Sequence, residues 1–313
     1  MRVLITGGTG LVGGRLLPRL LERGDEVLVV TRAEKPVMPV GCTSVAGDVA
    51  YPGPWLDRIE QCDAVVHLAG ENVFARRWRK RYKQRILDSR VASTRLIAEA
   101  LAKQPHRTDG SPKTLVSASA VGYYGPHDRE ELDEESPPGS DFLAGVCVQW
   151  EKAADPARIA GARVCHLRVG MVLDDCGGGL PKLVRPFKWF LGGPIGSGEQ
   201  WISWIHVADM VGLILLALDR HDATGPINAT APEPLTNWGF CKMLGTVLRR
   251  PCWLRLPAFA VRFLLGQVAV VVTEGQRVIP RRALSLGYSY QYPDLEPALR
   301  DLLKRPASKM RNE

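Results

Sequence analysis

Apolar runs alternate with amphipathic stretches along the first 170 residues. Val3–Thr6 reads as a buried strand, Leu11–Arg23 as an amphipathic helix stopped by Gly24, and Val27–Val30 as a second strand. A short strand near Thr43–Ala46 and a short helix around Trp55–Gln61 come next. The run Asp63-Ala-Val-Val-His-Leu-Ala-Gly70 reads as a buried strand ending in small residues. The pattern then predicts a long helix over Arg79–Ala102, a polar loop over Gln104–Pro112, a strand at Thr114–Ser119, a helix at Phe142–Ala154 and a strand at Arg163–Val169. Strands and helices alternating at these lengths imply an α/β fold, a doubly wound parallel sheet with helices on both faces.

Beyond that point the style changes. Gly177–Gly179 and Gly192–Gly198 read as irregular backbone, and Trp201–Asp209 reads as the start of a helix running to Leu218. The remainder, with Asn228 and helical segments at Asn237–Leu248 and Pro257–Gly266, is expected to form a smaller C-terminal lobe over the strand ends. The expected division is residues 1–230 for the sheet domain, with 171–200 contributing to the lobe, and residues 251–299 for a small C-terminal domain. The cleft between lobe and sheet is the expected substrate site.

The first strand runs directly into Gly7, Gly10 and Gly13. In a strand–turn–helix context these three make the phosphate-cradling turn of a Rossmann-type dinucleotide site. Gly7 permits the tight turn, Gly10 lets a pyrophosphate approach the backbone, and Gly13 lets helix and strand pack closely. The helix start then offers free N–H groups and a positive dipole end to the anion. The second strand ends Val29-Val30-Thr31-Arg32, without the carboxylate that bonds the ribose hydroxyls of NAD. A hydroxyl followed by a guanidinium suits a 2′-phosphate, so the expected cofactor is NADP(H).

Composition narrows the setting. At 313 residues, 45% hydrophobic and 24% charged, the chain can bury a full core. Its seven cysteines are scattered and contain no Cys-x-x-Cys pair, which reads as reduced thiols with no metal site. A strand from residue 2 leaves no room for a targeting segment, so a cytoplasmic protein is expected. The longest apolar stretch, around Phe259–Val272, is interrupted by Arg262, Gly266 and Gln267 and is too short to span a bilayer; no membrane partner is expected. The net charge of +8 owes much to Arg76–Arg85, seven basic residues in ten with Trp78 and Tyr82 interleaved. Alone this resembles a nucleic-acid patch; the preferred reading is a solvated helix start whose two aromatics pack inward, with no nucleic-acid partner.

Arg90 stands out on that helix. Ile86, Thr94, Ile97 and Leu101 form one face by helical spacing, and Arg90 falls within it. A buried arginine needs an anionic partner. Either it reaches the cofactor, or it pairs with a distant carboxylate such as Glu151.

Thr6–Gly13, Gly47-Asp48, His67–Gly70, Arg90-Val-x-x-Thr94, Ser117–Val121 and Ile205–Asp209 together resemble the extended short-chain dehydrogenase/reductase superfamily, in its nucleotide-sugar epimerase and dehydratase group. Leu68–Asn72, Arg77-Trp78, Ser89–Val91, Val121–Gly125, Leu191–Gly198 and Glu274–Pro280 are similar to an atypical branch of it. Members of that branch are called epimerase family proteins, or sometimes cell division inhibitors. The resemblance implies that Asp48 bonds the adenine amino group and that Leu68, Ala69 and Gly70 line the adenosine and pyrophosphate. With it, the expected cofactor-binding residues are Gly7, Thr9, Gly10, Leu11, Val12, Thr31, Arg32, Asp48, Leu68, Ala69, Gly70, Glu71, Arg90 and Val172.

The superfamily also implies an active-site serine, best matched by Ser119, and a Tyr-x-x-x-Lys acid/base pair. Here the corresponding helix has Phe142 or Leu143 in place of the tyrosine and Val146 or Cys147 in place of the lysine. Two consequences stand open. Tyr123 or Tyr124 acts from another direction, with Glu71 or His206 in the cleft, in an oxidoreductase or epimerase-like enzyme of unknown substrate. Alternatively the chain is a non-catalytic NADP(H)-binding regulator. The substrate and the oligomeric state leave no legible mark in the sequence.

Overall fold

The structure, a computed structural model, describes residues 1–304. Nine strands and eight helices build the sheet, its covering layers and the lobe. The strands are β1 (Arg2–Thr6), β2 (Glu26–Thr31), β3 (Cys42–Ala46), β4 (Ala64–His67), β5 (Thr114–Ala120), β6 (Arg163–Val169), β7 (Met171–Leu173), β8 (Trp204–His206) and β9 (Gly225–Ala229). The helices are α1 (Leu11–Glu22), α2 (Lys80–Lys103), α3 (Phe142–Lys152), α4 (Leu180–Lys188), α5 (Val207–Asp219), α6 (Asn237–Leu248), α7 (Ala258–Leu265) and α8 (Leu295–Lys304).

Seven of these strands form one sheet in the order β9-β6-β5-β4-β1-β2-β3, and every neighbouring pair is parallel. The order reverses direction at β1 and β4, which is where an open parallel sheet leaves a crevice at its strand ends. Both faces are covered. Leu16, Leu17 and Leu20 of α1 join Met210, Leu213 and Ile214 of α5 against one face. Ile97, Ala98 and Leu101 of α2 cover the other with Trp55 and Ile59. Burying a leucine or isoleucine fully contributes about 1.5–3 kcal/mol, so these two layers hold the sheet. The expected Rossmann-type fold is present.

Two local expectations differ, and a helix stands where none was expected. Gly225–Ala229 is the seventh strand of the main sheet, so Asn228 belongs to the sheet and not to the lobe. Leu180–Lys188 is helical despite its two prolines, one of them in the first turn, where a missing N–H costs nothing. Residues 201–206 are short strands, and α5 begins only after His206, which caps it. Their short apolar runs look alike in sequence whether they pair as strands or coil as helices.

The lobe has its own core of Leu173, Leu180, Phe187, Trp204, Phe240, Leu244, Leu299 and neighbours. The segment 251–299, expected as a small domain, is spread over several cores. Ala283 and Leu286 pack into the main one, Leu295 and Leu299 into the lobe, Val268 beside Trp78 and Tyr82, and Val278 beside Tyr124. Buried Asp209 ties this strap down, accepting from the Tyr288 hydroxyl and the N–H groups of Gln291 and Tyr292.

Candidate cofactor and active site

At the strand ends, Thr6 of β1 lies level with Val30 of β2 and His67 of β4, and His67 with Ser117 of β5. The turn after β1 is built as the glycines suggested. Gly7 has φ +73°, and a Cβ there would lie 2.8 Å from Ala69 N. A Cβ on Gly13 would lie 2.4 Å from the Gly7 carbonyl oxygen, so only glycine lets α1 pack this close. Gly10 is the N-cap of α1, has no side-chain cap bond, and no acidic residue follows in the first turn. Those N–H groups and the helix dipole face the crevice, and Thr9 and Gly10 are exposed there. Gly177 and Gly178 lie over Leu11, and Arg15 holds that loop by pairing with Asp174 and Asp175. This places β7, with Val172 half-buried, on the lobe side of the same crevice.

At the end of β2, Thr31 Oγ1 accepts from Ala33 N. The Arg32 side chain is 80% exposed and 3.9 Å from Asp48, whose other oxygen accepts from Ala50 N at 3.0 Å. A pair this exposed contributes about 1 kcal/mol at most, so Arg32 can leave it for a phosphate at little cost.

Below the turn, His67 is fully buried between the Thr6 hydroxyl at 2.6 Å and the Ser93 hydroxyl at 3.0 Å. Burial, reinforced by the charge of Arg90, pushes the His67 pKa down to about 3, so the ring is neutral. Arg90 donates to the Ile86 carbonyl at 3.1 Å and stacks 5.0 Å above the Trp150 ring. Its guanidinium carbon lies 3.3 Å from where a Cβ on Gly70 would stand, against the strand end. Burial lowers its pKa. Glu151 is not its partner.

Glu151 serves another arginine. Arg168 of β6 grips both its oxygens at 2.9 Å, and the Ser119 hydroxyl donates to Oε1 at 2.7 Å. Arg168 also donates to the Tyr124 hydroxyl, which in turn donates to Asn228. The Arg168 and Glu151 side chains are 4% and 13% exposed. Burial opposes the charge on Arg168, but the hydrogen bonds and charge of Glu151 outweigh it and raise its pKa. The guanidinium is pressed on the Tyr123 ring, 3.4 Å from its centre.

This network separates the candidates for chemistry. Tyr124 is fully buried with its hydroxyl committed on both sides, and burial pushes its pKa up to about 12, so it is closed to a substrate. Tyr123 is half-buried beside it. His206 is not in the cleft: its Nδ1 caps α5 by accepting from Ala208 N, its ring stacks on Tyr292, and its other nitrogen is 3.5 Å from Asp301. The Glu71 carboxylate takes the Tyr82 hydroxyl and Arg85 at 3.2 Å. The basic run is the solvated helix start expected, with Trp78 and Tyr82 buried and its cations mostly exposed. Phe142 packs edge-on to Trp78 and Leu143 lies against Gly122; neither carries a proton.

Sequence reasoning missed Arg168, and with it the role of Glu151. A charged residue inside the apolar strand Arg163-Val-Cys-His-Leu-Arg-Val was the available signal, the same one that singled out Arg90.

Residues 3–144 match the NAD dependent epimerase/dehydratase family, and residues 256–302 match a domain of unknown function, DUF1731. An Arabidopsis thaliana epimerase family protein, the chloroplastic SDR39U1 homolog, is 41% identical over 306 residues, 97% of this chain and 87% of that one. The human epimerase family protein SDR39U1 is 38% identical over 309 residues, 97% of this chain and 100% of that one. A crystal structure of the human protein (isoform 2) with NADPH superposes with a TM-score of 0.84 at 36% identity, covering 98% of this chain and 100% of that one.

Proposed function

The chain belongs to the epimerase family whose members include SDR39U1, and from that premise we propose that it is an NADP(H)-dependent oxidoreductase acting on a small molecule. The observation that carries the reading is the end of β2, where Thr31 and an exposed, weakly paired Arg32 stand in place of a ribose-binding carboxylate. The NADPH held by the human relative supports it. The N–H groups of Leu11 and Val12, next to Thr9 and Gly10, hold the pyrophosphate. Thr31 and Arg32 hold the 2′-phosphate, and Asp48 accepts from the adenine amino group. Leu68, Ala69, Gly70 and Glu71 line the adenosine and pyrophosphate, and Val172 closes the crevice from the lobe. Arg90, charged and with no carboxylate contact among the described residues, turns to the cofactor's oxygens. The bound nicotinamide gives or takes the hydride.

Proton movement falls to Ser119. Its hydroxyl already donates to Glu151. An alcohol substrate donating to Ser119 Oγ therefore sends its proton to Oγ while the serine's own proton passes to Glu151. Arg168 steadies the carboxylate, and the Tyr123 ring packs on Arg168. The missing Tyr-x-x-x-Lys is thereby replaced by a hydroxyl–carboxylate pair. A second reading, a regulator that binds NADP(H) without turnover, is favoured by Phe142, Leu143, Val146 and Cys147 standing where the acid/base pair is expected. Incubation with NADPH and a panel of aldehydes, ketones and quinones separates the two. Oxidation of NADPH that Ser119→Ala abolishes supports the enzyme, and tight binding with no oxidation by any compound favours the regulator.

A further inference from the structure

The apolar run Phe259–Val272 is not a membrane span, and no described helix is long and apolar enough to be one. The structure nevertheless leaves much of it uncovered. Trp189, Phe259 and Phe263 are 72%, 76% and 81% exposed, and Phe190, Trp253 and Leu264 are more than half exposed. Single exposed apolar residues are ordinary, but a contiguous group of this size marks an interaction site. These residues form one surface. The Trp253 indole donates to the Phe190 carbonyl at 2.9 Å, and Leu256 N donates to the Pro194 carbonyl at 2.9 Å. Ala258 borders Gly196 at the start of α7, and Arg77 caps the far end of α7 through the Phe263 and Leu264 carbonyls.

Charge identifies the occupant. Segments 182–191 and 249–265 contain seven lysines and arginines and no aspartate or glutamate, and all seven cations are exposed. Among the described residues one carboxylate pairs with this set, Glu274, at 4.0 Å from Arg262. Arg250 lies over the Phe190 ring at 4.5 Å and Arg255 over the Trp238 ring at 5.1 Å, stems along apolar surface. On α7, Phe259 and Phe263 share a face one turn apart with Arg262 beside them. A second copy meeting this face in a two-fold dimer would bring like charges together. Aromatic and aliphatic side chains interleaved with cations instead match the boundary between acyl chains and anionic headgroups.

We propose that this face, α7 with the 189–191 and 253–256 segments, docks the protein reversibly on an anionic lipid surface. The sequence expectation of no membrane partner considered spanning alone; a helix lying in the interface needs no such length. Each cation near an anionic membrane strengthens binding about fivefold, so reversing two removes well over tenfold.

The test is co-sedimentation with vesicles of phosphatidylglycerol and phosphatidylcholine, and of phosphatidylcholine alone, at low and high salt. Wild type is expected to pellet with the anionic vesicles at low salt and to be released by high salt. Phe259→Ser with Phe263→Ser, and separately Arg255→Glu with Arg262→Glu, are expected to weaken this at least tenfold while leaving the thermal midpoint by circular dichroism unchanged. All four side chains are exposed, so the fold does not depend on them. Wild type staying in the supernatant with anionic vesicles overturns the proposal and leaves the face to a protein partner. Binding by both double variants at wild-type strength also overturns it. So does concentration-dependent dimerisation that the Phe259→Ser/Phe263→Ser variant abolishes, which assigns the face to a second copy.

Discussion

Replacing Arg168 with methionine tests whether the Glu151 pair is the structural centre of the candidate active site. The substitution keeps most of the packing stem and removes the guanidinium that grips Glu151 twice at 2.9 Å and donates to the Tyr124 hydroxyl at 3.0 Å. Glu151, 13% exposed, is left with Ser119 alone among the described residues. Stranding one member of a buried pair costs about 3–5 kcal/mol; the small solvent access of Glu151 argues for the lower end, about 3 kcal/mol. Glu151→Gln keeps an acceptor for Ser119 but strands the charge on Arg168, and a loss of about 2–3 kcal/mol is expected. The double change Arg168→Met with Glu151→Gln removes both charges, so its cost should fall short of the sum by about 2 kcal/mol or more. Denaturant unfolding followed by circular dichroism measures all four corners of the cycle. Single changes costing under about 1 kcal/mol, with an additive double, would refute the reasoning by showing the pair to be no stronger than a surface contact.

Other expectations follow from the same geometry. Folded His67 resists protonation until about pH 3, whereas the unfolded imidazole charges near pH 6.5, so stability is lost as pH falls below that value, by about 2 kcal/mol at pH 5. His67→Gln should flatten unfolding free energy between pH 7 and 5 relative to wild type, and an unchanged slope counts against a neutral buried ring. Arg90→Met should weaken NADPH binding by about 1.5–3 kcal/mol in calorimetry; unchanged affinity with lower stability would make Arg90 structural. Phe142→Leu loses an edge-on contact with Trp78 at 5.4 Å and should lower stability while leaving NADPH affinity within about tenfold, since the side chain has no part in holding the cofactor.

The sheet and its glycine turn were legible because both obey local rules. Strand and helix periods persisted through residue 169, and Gly7 and Gly13 stand where the backbone admits no side chain. The seventh strand was not legible: Gly225–Ala229 is five residues long, opens on glycine and proline, and is a strand because β6 offers it an edge. Arg90 could be found from helical spacing, since its face is decided within one helix. The Glu151–Arg168 pair joins α3 to β6 across 17 residues, and no local pattern reports such a contact. His206 was misplaced for a related reason, because capping α5 and searching a cleft call for the same residue type at a helix start.

Calorimetric titration of NADPH and NADH tests the central assignment, cofactor selection by the end of β2. With NADPH, Arg32 and Thr31 meet a charged phosphate; with NADH they meet a neutral hydroxyl and gain little. A charge-assisted contact of about 1.5–3 kcal/mol predicts a preference for NADPH of about ten- to hundredfold. Thr31→Asp with Arg32→Ile should reverse it, because a carboxylate repels the phosphate and accepts from a free hydroxyl. Equal affinity of the wild-type protein for the two cofactors would contradict the account.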